Sequence, residues 1–290
     1  MSKVYVLYHA NCYDGFTSAW AANKKLGSGA KYIPVKYHTP PPEMAPGSLV
    51  YIVDFSYPRE VLLELAQVHN RVVVLDHHKS AQENLKGLEH PNLDIQFDME
   101  KSGARLTWDH FHGNIDSAPW LVAFVSDRDL WRFTLPGSAE IHTVLQATSR
   151  DFSAWDAVHE ALETEVGRAH LIATGSALVL FRDKQVDMTC QQARVMKLHN
   201  ETVPVVNSTA FWSEVGHKLL ELYPDSPFSV NWFWRADGMC QLSFRSRKDF
   251  DCSAVASSFG GGGHAQASGA EIGSSEWFEY LGTPVPGEVK

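Results

Sequence analysis

The sequence predicts an α/β protein in two parts. An N-terminal parallel sheet flanked by helices is followed by a smaller α/β domain, with residues 1–190 and 191–290 as the two spans. Three observations predict this. Short apolar runs alternate with helical patterns over the first part of the chain, as in βαβ units. Helical patterns dominate from about Ser102 to Arg194. Beyond them β-rich segments, a hairpin signal and four consecutive glycines take over.

Taken in order, "KVYVLYH" reads as a buried strand and "DGFTSAWAANKKLG" as a helix closed by Gly27. "KYIPVKYH" is a second strand, followed by the proline-rich loop "TPPPEMAPGS". "LVYIVDFS" is a third strand, and "PREVLLELAQVHN" an amphipathic helix with Pro58 near its first turn. "RVVVLDHH" is the fourth strand. "GARLTWDHF", "APWLVAFVSDRD" and a long segment from Glu165 are helical, the last able to bridge two domains. In the second part, "ADG" between two β-rich runs marks a hairpin.

A chain of 290 residues can bury two cores. Its formal charge of −9 argues against a coat for long nucleic acid, which needs an excess of Lys and Arg. A pocket for a small phosphorylated ligand needs only a few local cations. Cys12, Cys190, Cys240 and Cys252 show no CxxC pairing, which fits a reducing cytoplasm. The apolar run in "MSKVYVLYHANC" is too short for a signal peptide or a membrane span, so a cytoplasmic protein with no membrane partner is expected.

In parallel sheets ligands sit beyond the carboxyl ends of the strands. Strand one ends in His9, with Asp14 in the loop after it. Strand three ends in Asp54, and strand four in Asp76, His77 and His78. The segment "LVAFVSDRDLW" delivers Asp127 and Asp129. Each of these alone reads equally well as a turn former, a cap or a core histidine. Together they gather Asp and His at one edge, where crowded carboxylates need cations. Asp and His without thiolates suit manganese, iron, cobalt or zinc at a hydrolytic centre.

"HANCYDGFTSAW", "YIVDFS", "LDHH" and "FVSDRDLW" resemble the four motifs of the DHH phosphoesterase superfamily, and "LSFRSRKDFDCSAVASSF" with "GGGGHAQASG" resembles the DHH-associated domain. The resemblance covers both ends of the chain and less of the helical middle. It implies a two-domain phosphoesterase with its cleft between the domains and a two-site divalent metal centre, most readily Mn2+. Asp54 would bridge the ions, with Asp14, His77 and Asp127 completing one site and His9 in the other. His78 would face the substrate phosphate, and Asp76 would orient the histidines. The chain departs from the pattern at Cys12, where many members carry aspartate. Cys12 is then either a thiolate ligand or a small buried residue beside Asn11 or water, and the second site is altered.

The glycine run Gly260–Gly263 before His264 is costly to order unless a backbone approaches closely or an anion sits on its N–H groups. Gly261, Gly262, Gly263 and His264 are therefore candidate substrate contacts. Arg245 and Arg247 precede them and are expected on opposite faces, Arg245 toward the ligand. The aromatic segments "FWSEV", "VNWFWRA" and "EWFEY" read mainly as core, with room for a base-stacking platform.

The resemblance implies cleavage of very short RNA or linear dinucleotides to mononucleotides by a 3′–5′ exonuclease of the nanoRNase or oligoribonuclease type. An adenosine bisphosphate phosphatase, a cyclic-dinucleotide phosphodiesterase and a non-catalytic nucleotide-binding module are the alternatives. Oligomeric state stays open between monomer and homodimer.

Overall fold

Strand β1 (Val4–His9) is followed by helix α1 (Tyr13–Leu26) and β2 (Ala30–Val35). Then come β3 (Leu49–Val53), α2 (Arg59–Val68), β4 (Arg71–Asp76), α3 (Lys79–Leu85) and β5 (Leu93–Phe97). These elements come from a computed structural model that describes residues 3–10, 12–37, 39–113 and 118–281. The five strands form one parallel sheet in the order β2-β1-β3-β4-β5. The α/β class expected from the sequence is the class observed. β5 has no counterpart in the reading above, although "LDIQF" alternates apolar and polar residues; the strand is short, and none of its side chains is fully buried.

Burial explains the apolar runs. In β4, Val72 and Val74 enter one core with Leu7, Ile52, Leu62 and Leu65. Val73 and Leu75 enter another on the opposite face, with Val6, Val53 and Leu106. Burying four such side chains contributes on the order of 6–12 kcal/mol, which anchors the end of a strand that carries desolvated charge.

A helical layer follows: α4 (Gly103–His112), α5 (Trp120–Asp129), α6 (Ser138–Ala147) and α7 (Phe152–Leu162). Phe16, Trp20, Leu121, Ile141, Trp155 and Leu162 form its core. The long helix α8 (Glu165–Cys190) comes next. Contacts divide the chain into two compact units, Met1–Val179 and Leu180–Lys290, so the division falls inside α8, ahead of position 190.

The second unit holds β6 (Arg194–Leu198), β7 (Glu201–Asn207), α9 (Trp212–Leu222), β8 (Phe228–Trp234) and β9 (Met239–Ser246). It continues with α10 (Cys252–Ser258), β10 (Gly262–Gly263), β11 (Ala267–Gly273) and α11 (Ser274–Leu281). Its sheet runs β10-β11-β9-β8-β7-β6 and is antiparallel except where β7 meets β8. The expected hairpin turns at Ala236–Gly238, where Gly238 takes φ 85° and Trp234 pairs with Cys240. Trp277 is fully buried within the core of this unit. Among the described residues no helix is long and apolar enough to cross a membrane.

Candidate metal centre

The strand order reverses direction between β1 and β3, the switch point at which parallel sheets take ligands. His9 closes β1, and Asp54 directly follows β3. Asp54 takes φ 62°, in the left-handed region that Asp tolerates better than most residues. Its N–H still donates to Leu75 O at 2.9 Å, so the carboxylate leaves the sheet at a fixed angle.

Around Asp54 the expected residues converge. His77 Nε2 lies 3.1 Å from Asp54 Oδ1, 3.5 Å from Asp14 Oδ2 and 3.6 Å from Asp129 Oδ2. On the other side, His9 Nδ1 lies 3.6 Å from Asp54 Oδ2. Ligating atoms of Asp14, His77 and Asp129 lie within 4.8 Å of one another, and so do those of His9, Cys12 and Asp54. Asp54 thus belongs to one donor triad and reaches His77 of the other through its second oxygen.

The charge balance fits cations. Burial, then the carboxylates of Asp54 and Asp129, push Asp14 well above the usual carboxylate range. Burial opposes ionisation of Asp54 too, but the hydrogen bond from His77 and the charges of His77 and His9 win and hold its carboxyl well below the usual value. Burial disfavours protonation of His77, yet its bond to Asp54 and the surrounding carboxylates raise it to about 10. Among the described residues Asp54 Oδ2, Asp129 Oδ2 and His9 Nδ1 are buried without a hydrogen-bond partner, which is costly unless a cation takes them. The donor set fits a divalent ion.

Asp127, the expected ligand, is turned away. Its carboxylate accepts from Thr134 N (2.9 Å), Thr134 Oγ1 (2.6 Å) and Leu135 N (3.2 Å), fixing the turn after α5. Asp129 takes its place in the cluster. Asp76 lies outside both triads: Oδ1 accepts from His77 N at 2.7 Å, His78 N at 3.2 Å and His78 Nδ1 at 2.7 Å, while Oδ2 accepts from Ser56 Oγ at 2.6 Å. It holds the two histidines in orientation, and binding Nδ1 directs His78 Nε2 away from it.

Cys12 lies at the N-cap of α1 and makes no side-chain cap bond. Burial, then Asp54, Asp129 and Asp14, push its thiol pKa well up. Its sulfur nevertheless belongs to the triad with His9 and Asp54. Asn11, the other candidate there, lies outside the described residues.

One residue went unnoticed in the sequence. Gly103 N donates to Asp14 Oδ2 at 2.5 Å and Ala104 N to Oδ1 at 3.0 Å, so the N-terminus of α4 clamps Asp14. Ser102 caps this helix by accepting from Arg105 N. A Cβ at Gly103 would lie 2.6 Å from Asp54 Cβ and 2.9 Å from Asp14 Oδ2. Gly103→Ala is thus expected to displace both carboxylates and to cost about 1–3 kcal/mol of stability. Thermal melting and Mn2+ titration of the variant check this, and wild-type values in both would contradict it.

In the second unit the glycine run bends between α10 and β11. Gly260 N and Gly261 N donate to Ser257 O and Ala256 O, and His264 N to Ala267 O, so these donors are spent within the turn and form no anion nest. The close approach is between strands: a Cβ at Gly261 would meet Gly269 O at 2.0 Å. Gly262 and Gly263 pair with Gly269 and Ser268. Arg245, in β9, and Arg247, just after its end, do not occupy opposite faces: both reach the α9 segment. Arg245 donates to Ser213 Oγ at 2.7 Å. Arg247 binds the carbonyls of Leu220 and Ser226, which gives it a structural role at the end of α9.

No family model matches the chain. It is 33% identical over 288 residues to an uncharacterized protein of Acanthamoeba polyphaga mimivirus, covering 91% of this chain and 66% of the relative. The chain thus spans just under two thirds of that relative's length. Among solved structures it is similar to RecJ of Thermus thermophilus in complex with Mn2+, with TM-score 0.48, 15% identity, and coverage of 96% of this chain and 51% of RecJ. It is also similar to the pGpG-specific phosphodiesterase PggH of Vibrio cholerae, with TM-score 0.43, 16% identity and coverage of 97% of each chain. These likenesses are remote, and no activity passes to this chain through them.

Proposed function

We propose that the chain is a divalent-metal-dependent phosphoesterase of the DHH type, acting on the phosphodiester bond of linear dinucleotides and very short RNA. The observation that carries this reading is Asp54, a member of the donor triad His9–Cys12–Asp54 whose other oxygen lies 3.1 Å from His77 of the triad Asp14–His77–Asp129. Bound there, divalent cations such as Mn2+ would supply Lewis acidity and neutralise phosphate charge. Asp14, Asp54, His77, Asp129 and His9 would hold them, with Cys12 as the sulfur donor of the second position.

His78 is the proposed substrate contact. Burial disfavours its protonation, but the Asp76 carboxylate outweighs this and raises its pKa, which favours the form in which Nε2 can donate. That donor would stabilise charge on a phosphate oxygen. His78→Ala is expected to lower kcat by about two to three orders of magnitude with metal content retained; loss of metal would instead make His78 a ligand. In the second unit, Arg245 and His264 are the proposed substrate anchors.

The charge of −9 favours short substrates, since a long polyanion is repelled beyond the local cations. The test is turnover of a panel with Mn2+: dinucleotides, ten-residue RNA, adenosine bisphosphate and cyclic dinucleotides. Dinucleotides should be cleaved fastest. Preference for adenosine bisphosphate would overturn the substrate assignment, and binding without turnover of any member would overturn the enzyme.

A further inference from the structure

Tyr37 follows β2, the neighbour of β1 in the sheet, and its ring stands beside the metal centre rather than in a core. Three rings form a triangle there. Tyr37 and His9 have centroids 4.7 Å apart at 64°, Tyr37 and His78 6.3 Å at 85°, and His9 and His78 6.2 Å at 80°. All three contacts are edge-to-face, the arrangement that fixes an aromatic ring's tilt. Yet the residue stays 43% exposed, among the large apolar side chains left open to solvent. Two T-shaped imidazole contacts order the ring while 43% of the residue stays exposed.

We infer that Tyr37 is a stacking platform for the nucleobase of the nucleotide whose phosphate lies at the metal centre. This inference rests on the phosphodiesterase reading for what lies at the centre. The chemistry follows from position. A phosphate held near His9 and His78 carries its sugar and base outward, and an ordered aromatic face beside those histidines offers the base a π surface. Base–aromatic stacking tolerates any base, so the platform would add affinity for nucleotides over sugar phosphates without selecting sequence. The tryptophan-rich segments of the second unit are not needed for this role.

The test compares Tyr37→Ala and Tyr37→Phe with the wild type for equilibrium binding of adenosine 5′-monophosphate and of ribose 5-phosphate, in Mn2+. The wild type should bind the nucleotide more tightly than the sugar phosphate. Tyr37→Ala should weaken nucleotide binding about five- to a hundredfold and leave ribose 5-phosphate within about twofold. Tyr37→Phe should keep the wild-type preference. The platform is overturned if the wild type binds both probes alike, if Tyr37→Ala weakens both equally, or if Tyr37→Phe loses as much as Tyr37→Ala, which would assign the hydroxyl instead. Dinucleotide turnover by the wild type is read in parallel. Turnover without Tyr37-dependent binding removes the platform alone, and Tyr37-dependent binding without turnover removes the phosphodiesterase reading alone.

Discussion

Asp54→Asn is expected to abolish phosphodiester turnover, by about a thousandfold or more, and to empty both cation positions together. Asparagine accepts the positive φ of 62° and nearly keeps the volume, so the fold should survive. What disappears is the negative charge between His77 Nε2 at 3.1 Å and His9 Nδ1 at 3.6 Å. Asp14, clamped by α4, and Asp76, saturated by His77, His78 and Ser56, cannot move in to replace it. Metal stoichiometry by equilibrium dialysis, beside the turnover assay, checks this. Wild-type stoichiometry in the variant would show that Asp54 does not join the two positions.

The second large effect separates two aspartates that stand two residues apart. Asp129→Asn should lower Mn2+ affinity and turnover about a hundredfold, with thermal stability nearly unchanged. Asp127→Ala should do the reverse, keeping metal while losing about 2–4 kcal/mol of stability. The difference follows from geometry, since Asp127 spends its oxygens on Thr134 and Leu135 whereas Asp129 Oδ2 lies 3.6 Å from His77. Loss of metal in Asp127→Ala at unchanged stability would reverse the assignment.

This pair also marks where the sequence stops being legible. Strand ends are readable because an apolar run stops at a fixed place relative to the sheet, so His9, Asp54, Asp76 and His77 are found where their strands put them. Asp127 and Asp129 end a helix, and two residues along a helix are about 200° apart. Only one faces the centre. Which one depends on the turn that follows, and that turn is set by Thr134 and Leu135, far from any metal motif.

Gly103 was hidden for a related reason. "SGARLTWDHF" announces a capped helix, but nothing local says that its first amides meet Asp14, 89 residues earlier in the chain. The glycine run was legible as a close approach, though its partner is the strand at Gly269, and the amides of Gly260 and Gly261 are spent on Ser257 and Ala256. The arginine pair escaped periodicity because β9 ends at Ser246, so Arg247 follows the strand and is placed by the carbonyls at the end of α9.

The measurement that tests the central claim most directly is electron paramagnetic resonance during Mn2+ titration of the wild-type chain. Two donor triads joined by the 3.1 Å approach of Asp54 Oδ1 to His77 Nε2 should hold two neighbouring ions, about 4 Å apart. The account predicts two Mn2+ per chain and an exchange-coupled signal at saturation, absent in Asp54→Asn. A single uncoupled Mn2+ per chain, or no bound Mn2+, would contradict it.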